Sequence, residues 1–341
     1  MNAIARRKGI AFAWSLLASM FMASSSPSDV SAAPDAGSAA KVIIDTDIGT
    51  DIDDAFAVAL ALSSPDIHVL GITTTSGNVR LRARLVDRLL FETGQTHIPV
   101  AVGKTTAGPY DASGKPVTFT QARWAEASPV AARRWPPATP FILDEIRRFP
   151  GQISLVCIGP LTNIAALVRR DPATFRKLKR IVLMGGSIHV GFADGGRPPQ
   201  PPPVAEYNIV QDIPAAQTVF ESGVHIDMLP LDSTQVRLEE SLRDRLFAAG
   251  TPLTDALTLL YHEWSELNPW GKTPTLYDVV ALTHVFDPAL CPVEPMHVTV
   301  DGSGYTRPGP GAANVSVCLH VHENALLDVL MTRLLRQHLH A

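Results

Sequence analysis

Five aspartates crowd one short stretch, "VIIDTDIGTDIDDAFAVALAL", residues 42 to 62. Asp45, Asp47, Asp51 and Asp53 alternate with other residues, and Asp54 follows directly. The apolar run before them reads as a buried strand, and the one after as a buried helix. Three chemistries fit such a turn. The first is capping, with Asp53 as N-cap, because a helix N-terminus favours nearby anions by about 0.3–1 kcal/mol each. That accounts for one or two carboxylates only. Packed carboxylates repel, and some take up protons unless a cation is present. The second is a phosphatase-type pair with Asp45 or Asp47 as nucleophile, which needs a lysine and further acids that the sequence does not place. The third, favoured here, is a divalent metal site, since a hard cation such as calcium takes about 6–8 oxygen ligands.

The surrounding elements must position these groups. Strand-like and helix-like segments alternate: "KVIIDTD" then "DDAFAVALALSS", "IHVLGITTT" then residues 78–93, and "IPVAVG". A loop over 104–139 precedes a helix over 140–149. "ISLVCIG", "LTNIAALVRR", "RIVLMGG", "DIPAAQTVFESG" and "VHIDMLPLD" continue the alternation. "GFADGGRPPQPPP" is loop, because prolines and glycines at that density hold neither helix nor sheet. "MHVTV" and "VSVCLHV" read as late strands, and "ENALLDVLMTRLLRQHL" as a closing amphipathic helix. The pattern predicts an α/β fold: an open, mostly parallel (mixed) sheet with helices on both faces. Sites in such sheets lie at the carboxyl ends of strands. Asp45 and Asp47, "TTTSGN", "GPLTN" and "AEYN" all follow strands.

The chain has 341 residues, 46% hydrophobic and 18% charged, which is globular composition. A formal net charge of −4 gives no general attraction to nucleic acid. Arg6, Arg7 and Lys8 precede the apolar run Ile10 to Ala23, and Val30 and Ala32 fit a cleavage site. Residues 1–32 therefore read as a signal peptide and 33–40 as a linker. The run is shorter than the roughly 20 residues of a spanning helix, so no membrane attachment is expected after cleavage. A periplasmic or secreted location follows. Three cysteines, Cys157, Cys291 and Cys318, make no disulfide framework or metal spacing. Cys157 reads as a buried hydrophobe. One pair has room to bridge, and the sequence leaves open which.

The aspartate stretch resembles the N-terminal signature of the inosine–uridine-preferring nucleoside hydrolase family. "GITTTSGN", "GPLTNIAAL", "IVLMGGS", "VAEYNIVQDIPAAQTVF" and "LYDVVAL" are similar to that family's successive blocks, in order. The resemblance implies a Rossmann-like nucleoside hydrolase fold, a single domain over 41–341. It also implies calcium-dependent hydrolysis of the N-glycosidic bond of ribonucleosides to ribose and free base. Asp47, Asp54 and Asp278 match the carboxylate ligands of calcium, and Ile158 falls where the family uses a backbone carbonyl. Asp47 matches the general base for the attacking water. Asp53 and Asn78 match contacts to ribose hydroxyls, and Met184, Glu206 and Asn208 match further ribose contacts. The partner implied is a small nucleoside, and the assembly a homo-oligomer, dimer or tetramer, used to scavenge extracellular nucleosides in purine and pyrimidine salvage.

Plainer roles stand beside these. Asn78 after Gly77 suits a turn. Asn163 suits a helix start. Met184 suits a pocket wall. His320, His322, His338 and His340 have no metal spacing. The sequence also departs from the family. Extra residues separate Gly49 from the Asp53–Asp54 pair, so Asp51 competes with Asp53 for the ribose contact. Tyr277 stands where the resemblance implies a histidine acid for the leaving base. A phenol, with pKa about 10, is a poorer donor but can hydrogen-bond or stack on a base. Trp124 and Trp135 occupy the 104–139 loop, as base-stacking groups on a lid or, preferably, as surface anchors. These departures leave a second class alive: a non-catalytic or retargeted relative that binds calcium and a ribosyl ligand.

Overall fold

The computed structural model describes residues 39–106, 118–131, 133–193, 200–269 and 271–336. The signal segment, most of the linker, His338 and His340 lie outside them. Eight strands form one sheet. The chain runs β1 (Ala40–Thr46), α1 (Asp53–Leu62), β2 (Ile67–Thr74), α2 (Val79–Glu92) and β3 (Val100–Val102). It continues through α3 (Ala122–Glu126), α4 (Ala138–Arg148), β4 (Ile153–Ile158), α5 (Thr162–Arg170), α6 (Pro172–Phe175) and β5 (Arg180–Met184). Then come α7 (Tyr207–Val210), α8 (Ile213–Phe220), β6 (Ile226–Leu229), α9 (Leu231–Thr234), α10 (Glu240–Phe247), α11 (Pro252–Leu267) and α12 (Tyr277–Phe286). β7 (Val293–Met296), β8 (Val298–Val300), β9 (Thr306–Pro308), β10 (Val315–Cys318) and α13 (Glu323–Arg336) close the fold.

The sheet order is β3-β2-β1-β4-β5-β6-β10-β7, and β8 pairs with β9 apart from it. Every pairing in the large sheet is parallel except β10 with the edge strand β7. Both faces are covered, so the central strands are apolar throughout. Val42 and Ile44 of β1 face the layer of α1 and α12, and Ile43 faces that of α4, α5 and α8. That two-sided burial erases the alternation of a half-exposed strand. The chain leaves β1 toward β3, then returns to β4 on the other side of β1. The reversal opens a crevice at the carboxyl ends of β1 and β4.

Two readings of segments change. The 104–139 stretch is not all loop, because it contains α3 and the start of α4. "MHVTV" is split between the end of β7 and β8, which belong to different sheets. Cys291 and Cys318 form the disulfide, tying the segment before β7 to β10, and Cys157 is free and buried. No helix among the described residues is long and apolar enough to cross a membrane.

Candidate active site

β1 delivers the first carboxylates at the crevice. Alternation sends Asp45 to the α4/α5 face, where Thr73 Oγ1 and Asn163 Nδ2 donate to its Oδ1. Asn163 lies at the start of α5, as its sequence context suggested, and from there it also accepts from Lys104 N and donates to Thr74 O. Burial pushes the Asp45 carboxyl up to about 7. Thr46 points the other way and donates to Asp54 Oδ1. Asp47 lies beyond the strand against Gly159, the residue after Ile158. A Cβ at Gly159 would come within 2.9 Å of Asp47 Oδ1, so the close approach requires glycine.

Asp53 and Asp54 open α1, and Asp278 lies in the first turn of α12. Their carboxylate oxygens lie within 4.8 Å of one another, and all three residues are buried. The N-cap of α1 is Ile52, not Asp53. Asp53 caps a different helix instead: its Oδ2 accepts from Asp278 N at 3.3 Å. Two helix N-termini thus meet at the cluster, and their dipoles favour negative charge. Burial is the largest cause raising each carboxyl in the group. Asp51 adds to it at Asp53, Asp47 at Asp54, and Asp53 at Asp278. Asp47 is raised by burial against the opposing charge of Arg82. Asp51 is half-buried and rises to about 6, again chiefly through burial.

The residues expected to contact ribose also come together. Glu206 caps α7, accepting from Asn208 N at 3.0 Å and Ile209 N at 3.3 Å, and takes Gly186 N at 2.9 Å. Asn208 Nδ2 donates to Met184 O at 3.1 Å. Their burial therefore has a reason within the protein itself. Burial lifts Glu206 to about 7, and the Asp47 charge adds to the rise. Asn78 differs: it is exposed, and its side chain caps α2 by accepting from Leu81 N.

Tyr277 opens α12 and meets Phe192 edge-on, with centroids 6.3 Å apart. Burial, then the charges of Asp51 and Asp53, push its phenol above the ordinary value. It is therefore a hydrogen-bond donor that keeps its proton near neutrality. Trp124 is a core residue of α3, stacked under Arg88 at 4.2 Å. Trp135 Nε1 donates to Asp87 at 2.7 Å. Both are anchors, Trp124 more deeply than the sequence suggested.

Sequence reasoning missed Arg82, a fully buried residue of α2. The signal was present. Arg82 lies on the same helical stripe as Leu85, Val86 and Leu89, facing the core, whereas Arg80 is exposed. It also missed the segment Phe119–Gln121, which closes over the longer turn: Thr120 Oγ1 donates to Thr50 O, and Gln121 Nε2 to Asp51 O at 2.7 Å. Asp53, Asp54 and Asp278, with Asp47 beside them, form an all-oxygen donor set that fits a hard divalent cation.

Comparison with known proteins agrees. The inosine-uridine preferring nucleoside hydrolase profile matches residues 42–328. The "Probable uridine nucleosidase 2" of Arabidopsis thaliana is 32% identical over 286 residues, 80% of this chain and 85% of its own length. The "Pyrimidine-specific ribonucleoside hydrolase RihA" of Citrobacter koseri is 30% identical over 315 residues, 86% and 97% of the two chains. The solved purine-preferring ribonucleoside hydrolase from Gardnerella vaginalis superposes with a TM-score of 0.72 at 26% identity, over 87% of this chain and 98% of that one. The chain belongs to the inosine-uridine preferring nucleoside hydrolase family and is a hydrolase of N-glycosyl bonds.

Proposed function

We propose that the protein hydrolyses ribonucleosides to ribose and free base in a calcium-dependent reaction in which Asp47 activates the water. The observation that carries this reading is the convergence of Asp53, Asp54 and Asp278 on one point at the switch of the sheet, with Asp47 at the end of β1 beside them. Asp47, Asp54, Asp278 and the Ile158 carbonyl would hold the ion, with Asp53 close enough to share in it. When bound, calcium supplies the positive charge that keeps these carboxylates ionised and polarises the oxygens it holds.

The chain's own residues do the rest. The Asp47 carboxylate takes a proton from water as that oxygen bonds to the anomeric carbon. The C–N bond breaks, its electron pair leaves with the base, and positive charge develops on the ribosyl ring. The surrounding carboxylates stabilise that charge. Asp53, or Asp51 in its place, with Met184, Glu206 and Asn208, holds the sugar and fixes the anomeric carbon near the water. Asn78 serves chiefly as a helix cap. Tyr277, with Phe192, borders the leaving base and donates to it without giving up its proton. Relatives named for uridine, pyrimidines and purines leave base preference to a substrate panel.

We further propose export, with cleavage after Ala32 and a mature domain over 41–341. The Cys291–Cys318 disulfide supports this, because such bonds persist in oxidising compartments. N-terminal sequencing of secreted protein should begin at Ala33, and an uncleaved chain held in the cytoplasm would contradict it.

Hydrolysis in ¹⁸O-water tests the reaction. The label should appear on the anomeric carbon of ribose. Label-free ribose phosphate, formed only when phosphate is added, would overturn the hydrolytic reading. Calorimetric titration with calcium should show one site, lost in Asp278→Asn.

A further inference from the structure

We propose that Arg82 is a positioning residue: its buried guanidinium fixes the turn that carries Asp47, and its forked geometry matters more than its charge. The inference rests on the reading of Asp47 as the base beside the metal site. A fully buried arginine is costly unless its donors are satisfied. Arg82 is 2% exposed, and its acceptors are neutral oxygens. Nη1 donates to the carbonyls of Asp47 and of Ile48, the latter at 2.8 Å. Nη2 donates to Thr50 Oγ1 at 3.0 Å and Nε to Ser76 O at 2.9 Å. One rigid plane therefore spans the turn after β1 and the turn after β2.

Both turns take a positive φ close to the Arg82 contacts, and at Ser76 that conformation is strained. Ser76 has φ of 63°, a left-handed conformation rare for a non-glycine residue, and Gly49 has φ of 111°. Such conformations cost about 1–3 kcal/mol each for a non-glycine residue and persist only when neighbours over-determine them. The Phe119 ring completes the clamp. It lies 5.3 Å from the guanidinium, and a Cβ at Gly49 would collide with it at 2.2 Å. The extra residues of the aspartate turn are thus wrapped around Arg82. A lysine places one charge there, but not a planar fork with several fixed donors.

The test compares wild type with Arg82→Lys and Thr50→Val, measuring kcat, KM, melting temperature and calcium affinity by calorimetry. Partners that orient metal-site residues typically contribute about 10–100-fold to activity or metal affinity. Arg82→Lys should lose kcat and calcium affinity in about that range, with KM nearly unchanged. Thr50→Val should lose several-fold in kcat with little change in melting temperature. If Arg82→Lys keeps wild-type kcat and calcium affinity and loses only thermal stability, the positioning role is overturned. If Arg82→Lys does not fold, Thr50→Val decides, and wild-type kcat and calcium affinity there also overturn it. A wild type that binds calcium but hydrolyses no nucleoside would refute the hydrolase reading instead, leaving the calcium arm to judge Arg82.

Discussion

Single carboxylates in this protein are tuned in opposite directions by their surroundings. At the carboxyl end of the sheet, burial and like charges raise the carboxyls of Asp53, Asp54 and Asp278. Asp227, on β6, goes the other way. Burial pushes it up, but the His284 hydrogen bond and the charges of His284, Arg180 and His225 outweigh that and hold it at about 2, against an ordinary 3.8. Arg180 Nη1 approaches it at 2.7 Å and His225 Nε2 at 2.8 Å. The sign follows from the depressed folded value. The stabilisation is fully present above about pH 4 and is lost as pH falls toward 2. It amounts to about 2 kcal/mol by linkage. Asp227→Asn should lower stability at neutral pH and flatten its fall between pH 4 and 2, as urea titration at each pH would show. The aspartate cluster was legible in the sequence because five acids between one strand and the next helix repel one another and point to a shared site. The job of Asp53 as a cap for α12 was not, because its partner lies 225 residues away.

At the scale of elements, the 104–139 stretch shows why composition misleads. It lacks long periodic runs and reads as loop, yet α3 is held by Trp124 in the core and by Arg88, whose Nη1 donates to Trp124 O. Trp124→Ala should therefore cost about 3–5 kcal/mol, as large aromatic truncations do. It should leave nucleoside KM nearly unchanged. A large KM rise with stability intact would restore the base-stacking role. The disulfide is a second such element. It spans 27 residues and encloses β7, β8 and β9. Removing it through a Cys291→Ser, Cys318→Ser double variant should cost about 3 kcal/mol. Denatured, oxidised protein should show one reactive thiol, Cys157. Finding three would contradict the pairing. The pair was not legible, because β10 reaches β6 and β7 only through the sheet.

The whole molecule explains why the central strands read so easily and the site only in part. Parallel strands buried on both faces leave continuous apolar runs, so β1, β2, β4 and β5 stand out in the sequence. Helix α12 brings Asp278 to β1 from far along the chain, which periodicity alone does not reveal; the ordered blocks did. Strand reversal between β1 and β4 makes the crevice, and Asp47, Asp53, Asp54 and Asp278 meet there. The most direct test of that assembly is ribose release from inosine, adenosine, guanosine, uridine and cytidine, with and without EDTA, beside Asp47→Ala. Wild type should release ribose from at least one nucleoside and stop on chelation. Asp47→Ala should lose at least about 100-fold in kcat, the scale expected of a general base. Undiminished release by Asp47→Ala, or by chelated wild type, would contradict a metal-dependent carboxylate site at the end of β1.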